Sequence, residues 1–204
     1  MDNISISRAE LQELIDKAVA DRVSSQFSAM QEQIQSLQQT IASQSANIPE
    51  DRATIVVFGG ELDTIFAACT IASGAVAMGM EASMFFTFWG LNALRTGRKL
   101  KGKSLPEKMV AMMMPSGPGS VPTSRMNMAG MGPKFFRYLM NQKKVESVPG
   151  MIALVQELGV RLVACEMSMG VMGLTREELL PGIDYGGVAT YLGDAGKSKI
   201  TLFI

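Results

Sequence analysis

Residues 148 to 173 read Val148-Pro-Gly-Met-Ile-Ala-Leu-Val-Gln-Glu-Leu-Gly-Val-Arg-Leu-Val-Ala-Cys165-Glu-Met-Ser-Met-Gly-Val-Met-Gly173. The stretch falls into three parts. Val148 to Leu158 reads as a helix, closed by Gly159, a residue that accepts the left-handed backbone on which helices often end. Arg161 to Ala164 follows as a short apolar run and reads as a buried strand. Cys165 stands where that run stops and Glu-Met-Ser-Met-Gly begins. A helix that feeds a buried strand is one unit of an α/β sheet, and in open α/β sheets ligands bind beyond the carboxyl ends of the strands. The thiol is therefore delivered to the edge where chemistry is expected.

Working outward, the same alternation repeats. Thr54 to Phe58 is a β-branched and aromatic run, Gly59-Gly60 turns the chain, and Glu61 to Gly79 reads as a long small-residue helix. Ala82 to Trp89 reads as a second strand. Downstream of Cys165, Thr175 and Glu178 form a capping box that opens a short helix stopped by Pro181-Gly182. A helix around Gly187 to Gly193 and a last strand, Lys199 to Ile204, complete the series. The fold class is α/β, a doubly wound, mainly parallel sheet. Ile65 to Met80 is apolar, but it falls short of the ~20 residues a bilayer needs and holds Cys69, Thr70 and Ser73, so it reads as a helix lying on the sheet.

Residues 1–50 are a different material. Ser7 and Glu10 form a Ser-x-x-Glu capping box, and Leu11, Ile15, Val19, Val23, Phe27, Met30, Ile34, Leu37 and Ile41 follow at spacings of three and four. This is one long amphipathic helix, a narrow apolar seam on a polar rod. Such a seam is expected to self-associate as a coiled coil or to dock. The early spacings of four drift from a strict heptad, and Ile48-Pro49 ends the helix. Residues 51–204 form the α/β domain.

The chain has 204 residues, 19 basic and 19 acidic, and no histidine. Residues 1–50 carry seven acids and three bases, and residues 51–204 twelve acids and sixteen bases. Zero net charge gives no global field for nucleic acid. Two cysteines make no disulfide framework, and the start is no signal peptide, so a cytoplasmic, reducing setting is expected. Residues 95–144 form a basic, methionine-rich insertion with eleven Lys or Arg against the single acid Glu107. It reads as two short helices joined by the stiff loop Pro115 to Pro122. In the second, Met131, Phe135, Phe136, Leu139 and Met140 share one face bordered by Lys134, Arg137 and Lys144. A lid or subunit contact is the plainest reading of the insertion. Peripheral contact of 131–144 with anionic lipid, and Cu(I) held by Met126, Met128 and Met131, are alternatives, while nucleic acid has only the basic density in its favour. No metal or cofactor is expected.

Only a thiolate attacks, and peptide N-H groups that follow a cysteine into a turn or short helix lower its pKa. Cys165 is the candidate nucleophile. Ser168 lies in the turn that follows it. Met167, Met169, Val171 and Met172 are expected to wall the sulfur, and Glu166 opposes thiolate formation unless it points away. Gly59 and Gly60 are expected to offer backbone N-H groups at the same edge. Without histidine, protease-like and acyl-transfer chemistry lacks its usual base, whereas sulfur exchange needs only a nucleophilic sulfur and a docked partner. Cys69, inside the packed helix, reads as structural.

The helix-strand-Cys-x-Met-Ser block of residues 148–173 resembles the DsrE/DsrF-like sulfurtransferase family. Met112-Met-Met-Pro and Met126-Asn-Met-Ala-Gly-Met-Gly resemble its DsrE-like branch, sometimes labelled peroxiredoxin-like. The resemblance spans roughly residues 53–204 and implies a flavodoxin-like fold, homo-oligomers and a cysteine, here Cys165, that carries sulfur as a persulfide. It also implies partners of the rhodanese-like and TusA-like types. A peroxidatic site has a Thr or Ser and an Arg around its cysteine, and Gly159-Val-Arg-Leu-Val-Ala does not match it.

Two readings from other classes stand beside this one. Phe58-Gly-Gly60 could serve as a phosphate turn for flavin or nucleotide, against which Glu61 and Asp63 would repel phosphate. A non-catalytic oligomeric adaptor would use the coiled coil and the basic insertion, with the cysteine incidental.

Overall fold

The computed structural model describes residues 8–45 and 49–204. The chain divides into two compact units between Ile48 and Pro49. The first contains one helix, α1 (Arg8–Ser45). Ser7, the first member of the expected capping box, lies outside the described residues. Ile15, Val19, Val23, Phe27, Met30, Ile34, Leu37 and Ile41 are all exposed.

The second unit is built on five strands, β1 (Glu50–Val57), β2 (Glu81–Phe86), β3 (Arg161–Cys165), β4 (Asp184–Gly186) and β5 (Ser198–Phe203). They lie in the order β4-β3-β2-β1-β5, every pair parallel. The chain begins in the body of the sheet, steps outward to β4, and returns past β1 as β5. That return turns the winding over, as in other doubly wound sheets, and places helices on both faces. Residues Ala53 to Val57 of β1 are all buried, which explains why its sequence is a continuous apolar run without alternation.

The two faces are unequal. Ala53, Ile55 and Val57 with Met84, Phe86, Leu162 and Ala164 pack beneath α2 (Leu62–Ala77) and α5 (Val148–Glu157) in the main core. Side chains one position along each strand point the other way, where Val56, Phe85, Val163 and Cys165 form a small cluster closed by Tyr191 of α7 (Val188–Ala195). On α2, Leu62, Ile65, Ala68, Cys69, Ala72 and Ala75 are buried at helical spacing, so the apolar segment lies on the sheet. Among the described residues, no helix is long and apolar enough to cross a membrane.

Two expectations about strands need correction. The second strand ends at Phe86 and not at Trp89. Thr87 N-H donates to Val57 O and Gly90 N-H to Phe58 O, drawing the chain across the end of β1 into a 3-10 segment, Phe88–Leu94. A Cβ at Gly90 would stand 2.1 Å from Val57 O, so the close approach needs glycine. The fifth strand, β4, was not anticipated at all: three residues, Asp184-Tyr-Gly186, carry no apolar run.

The insertion holds two helices, α3 (Leu105–Met113) and α4 (Met131–Gln142), on either side of the proline-bounded loop. Ala111, Met114 and Val121 reach the core, while Met109, Met112, Met113, Phe135 and Phe136 are exposed. Part of its basic charge is spent internally. Arg95 and Lys103, both buried, pair with the fully buried Glu178 at 3.4 and 2.5 Å, and Arg137 donates to Val121 O. Glu178 also accepts from the Thr175 and Lys99 N-H groups, so the carboxylate of the expected capping box, on the 3-10 turn Arg176–Glu178, is the anchor of the insertion. Those bonds hold its carboxyl below the usual carboxylate range although burial pushes it up.

Candidate functional site

Cys165 is the last residue of β3 and the N-cap of α6 (Glu166–Met172). The N-H groups of a first helical turn have no partners within the helix and are free to meet a capping side chain. Here the thiol lies beside them, without a side-chain capping bond of regular geometry. Burial raises its pKa, but hydrogen bonds from the Ser168 hydroxyl and N-H, the Thr87 hydroxyl and the Met167 N-H outweigh burial and hold it below the ordinary thiol range. Thr87 and Ser168, both buried, are themselves joined through their hydroxyls at 2.8 Å. Each hydroxyl has one proton. When one donates to the other, the chain of bonds ends on sulfur.

Thr87 is the site residue that the sequence reading missed. It sits 78 positions before Cys165, on the segment that leaves β2, and the parallel register Phe86↔Ala164 brings it beside the thiol. The one signal available was the polar residue closing an apolar strand next to the strand that carries the cysteine.

The other expected site residues divide. Ser168 reaches the sulfur. Glu166 points away and pairs with Arg176 at 2.6 Å on the surface, which removes its objection to the thiolate. The expected methionine wall is not there. Met169 and Met172 share the face of α6 turned into the main core, and Met167 and Val171 are exposed. The sulfur is enclosed instead by Val56, Phe85, Val163 and Tyr191, with the Phe85 and Tyr191 rings 5.7 Å apart. Gly186, opposite Cys165 in register, leaves room for Thr190, whose Oγ1 would lie 2.5 Å from a Cβ there, so α7 closes down over the thiol.

Gly59 and Gly60 end β1, and β2 lies between β1 and the thiol's strand. The Gly59 N-H donates to Ile204 O, and a Cβ at Gly60 would meet Trp89 O at 2.4 Å. These glycines permit close packing of the edge. The start of α2 is filled by its own chain as well: Leu62 N-H donates to Pro122 O, and Asp63 accepts from the Ser124 N-H and hydroxyl. Of the donors that the phosphate-turn reading needs, the Phe58, Gly59 and Leu62 N-H groups are already taken. A cavity of about 590 Å³ lined by Leu62, Arg137, Met140, Lys144 and Val148 includes none of the thiol's neighbours.

Cys69 provides the contrast. It is fully buried, no donor approaches its sulfur to offset that burial, and its pKa is pushed up to about 12.

The model of the DsrE/DsrF/DrsH-like family matches residues 49–203, the whole of the sheet unit and none of α1. The chain belongs to this family. It is 47% identical over 154 residues to the Bacillus subtilis (strain 168) protein YrkE, covering 75% of this chain and 96% of that protein. It is 30% identical over 159 residues to the sulfur carrier protein DsrE2 of Allochromatium vinosum (strain ATCC 17899), covering 76% and 99%. Among solved structures, the YchN protein of E. coli aligns with a TM-score of 0.45 at 11% identity, covering 75% of this chain and 98% of that one. The family membership thus applies to the unit that carries Cys165.

Proposed function

We propose that this protein is a sulfur carrier in which Cys165 accepts sulfane sulfur as a persulfide and yields it to the thiol of a partner protein. The observation that carries the reading is the buried Thr87–Ser168 hydroxyl pair at the helix start that Cys165 opens, where hydroxyl and amide donors favour the thiolate inside a nearly closed apolar cluster. A relative 30% identical is itself named a sulfur carrier protein. In the loading step the Cys165 thiolate attacks the outer sulfur of a donor persulfide. The new S-S bond forms on Cys165 as the donor's S-S bond breaks and its thiolate leaves. In the unloading step an acceptor thiolate attacks that outer sulfur, and Cys165 leaves as thiolate. A lowered pKa serves both directions, because it raises the thiolate fraction for attack and makes Cys165 the better leaving group. The apolar cluster around the sulfur leaves it only a small opening, which slows discharge of the persulfide by water. Rhodanese-like donors and TusA-like acceptors are the partner types that this chemistry suits.

The test is the intact mass of reduced protein after incubation with polysulfide, for wild type, Cys165→Ser and Cys69→Ser, followed by mixing with a TusA-type carrier. Sulfur-mass additions in wild type and Cys69→Ser that are missing from Cys165→Ser, and that move to the carrier, are the expected result. Equal loading without Cys165 would leave the adaptor reading in its place.

A further inference from the structure

The family match leaves α1 without a role. Its 38 residues make a rod about 57 Å long. From Val23 the apolar positions fall into a strict heptad: Phe27, Ile34 and Ile41 at one core position, Val23, Met30 and Leu37 at the other. Each of these six side chains is exposed by half or more, from 50% at Ile34 to 63% at Ile41. A concavity on the helix surface is bordered by Phe27, Met30, Gln31, Ile34, Gln35 and Gln38, the first four spaced at i, i+3, i+4 and i+7. Four residues so spaced are the hole that receives a knob from a facing helix in a coiled coil.

The flanks say what the facing helix is. Between Val23 and Ile41 the only charged residue is Glu32, on the side opposite the seam, while the positions beside the seam are Ser24, Gln26, Gln31, Gln33, Gln38 and Thr40. Partner choice between different coiled-coil helices is set by charges at those positions, and here there are none. A lipid surface is opposed by the same composition, since an interfacial helix carries Lys or Arg on its polar face. Two copies of this helix meet no like-charge repulsion along the seam, and neutral amides can bond across it. The core residues also bear on number: in a parallel pair, which sets each core residue against its own copy, β-branched Ile34 and Ile41 at one position with Leu37 at the other favour two strands.

We propose that residues 23–41 pair with the same residues of a second copy, as a parallel, in-register, two-stranded coiled coil. The pairing makes a dimer with two Cys165 sites and does not depend on what Cys165 carries. Residues 8–22, with seven charges and apolar spacings of four, lie outside the strict register and add little to it.

The test uses the full chain under reducing conditions. Sedimentation equilibrium should give wild type and Glu32→Lys the same mass and the Ile34→Lys/Leu37→Lys variant half of it. In a Cys165→Ser background, mild oxidation of Val23→Cys should yield self-linked pairs, whereas a mixture of Val23→Cys with Ile41→Cys should yield almost no hybrid links. Equal mass for wild type and the double-lysine variant overturns the proposal, as does a threefold mass ratio. Hybrid 23–41 links in place of self-links overturn the parallel register, because antiparallel helices would set those two positions face to face.

Discussion

The two cysteines occupy regions that look alike by burial and differ in everything else. Cys69 on α2 is fully buried beneath the main core, and Cys165 at the β3–α6 junction retains 4% of its surface. Burial raises both pKa values. At Cys69 nothing opposes it, and the thiol rises to about 12. At Cys165 the neighbouring hydroxyls and amides reverse the sign. Mid-helix, every N-H is already committed to the carbonyl four residues back, whereas at a helix start the N-H groups are free. Reactivity is thus decided by where the strand hands over to the helix.

The largest expected effect is the ratio between the two thiols. At pH 7 a thiol titrating near 12 is thiolate in about one molecule in 10⁵, whereas one held below the ordinary thiol range is thiolate far more often. Iodoacetamide labelling of native protein, read by peptide mass, should strongly favour Cys165 over Cys69. Comparable labelling of Cys69 would break the comparison. Stability should show the same opposition. The lowered thiol contributes stability above the unfolded titration range, lost as pH falls through its folded value. The raised thiol contributes below that range and loses the contribution as pH rises toward 12. Cys165→Ser should therefore lose stability relative to wild type as pH rises out of the neutral range.

Next in size are the hydroxyls. A hydrogen bond to a charged acceptor is worth about 1.5–3 kcal/mol, or one to two pH units. Ser168→Ala should move the Cys165 labelling midpoint up by about one unit and slow labelling at pH 7 about tenfold. Thr87→Val should act in the same direction by about threefold, since Thr87 lowers the pKa less than Ser168 does and shares its proton with it. Thr87→Ser should restore the wild-type midpoint. The Ser168→Ala/Thr87→Val double variant should fall short of the product of the two single effects, because the hydroxyls form one chain of bonds.

The fold was legible wherever a strand is buried on both faces. Thr54 to Phe58 and Arg161 to Ala164 show themselves as apolar runs because no face of theirs meets water. β4 was illegible for the opposite reason: as a three-residue edge strand it is held by register with β3, and Asp-Tyr-Gly has no pattern of its own. Cys165 and Ser168 were legible because a local rule, the strand end that hands over to a helix start, governs them. Thr87 obeys no local rule, since only the pairing of β2 with β3 brings it to the sulfur. The methionines misled through composition. Met169 and Met172 look like a soft wall when read as a string, but their spacing of three on α6 sends both into the core. The basic insertion misled in the same way, since Arg95 and Lys103 serve the buried carboxylate of Glu178.

The smallest expected effect separates hydrogen bonding from charge as the cause of the thiol's pKa. Glu166 is adjacent to Cys165 in sequence, and its carboxylate is held by Arg176, whose guanidinium also lies 4.4 Å from the centre of the Tyr185 ring. Both charged side chains are more than half exposed, so the pair sits in a high-dielectric setting where such bridges are worth ~0–1 kcal/mol. Arg176→Ala would free the Glu166 charge, raising the Cys165 midpoint by about a third of a unit at low salt and by nothing measurable at high salt, where exposed charges are screened. A shift as large as that of Ser168→Ala would mean that the surface charge balance, and not the hydroxyl and amide donors, sets the thiolate. A null result at every salt concentration, beside a full unit for Ser168→Ala, would leave the hydroxyl and amide donors as what holds the Cys165 thiol low.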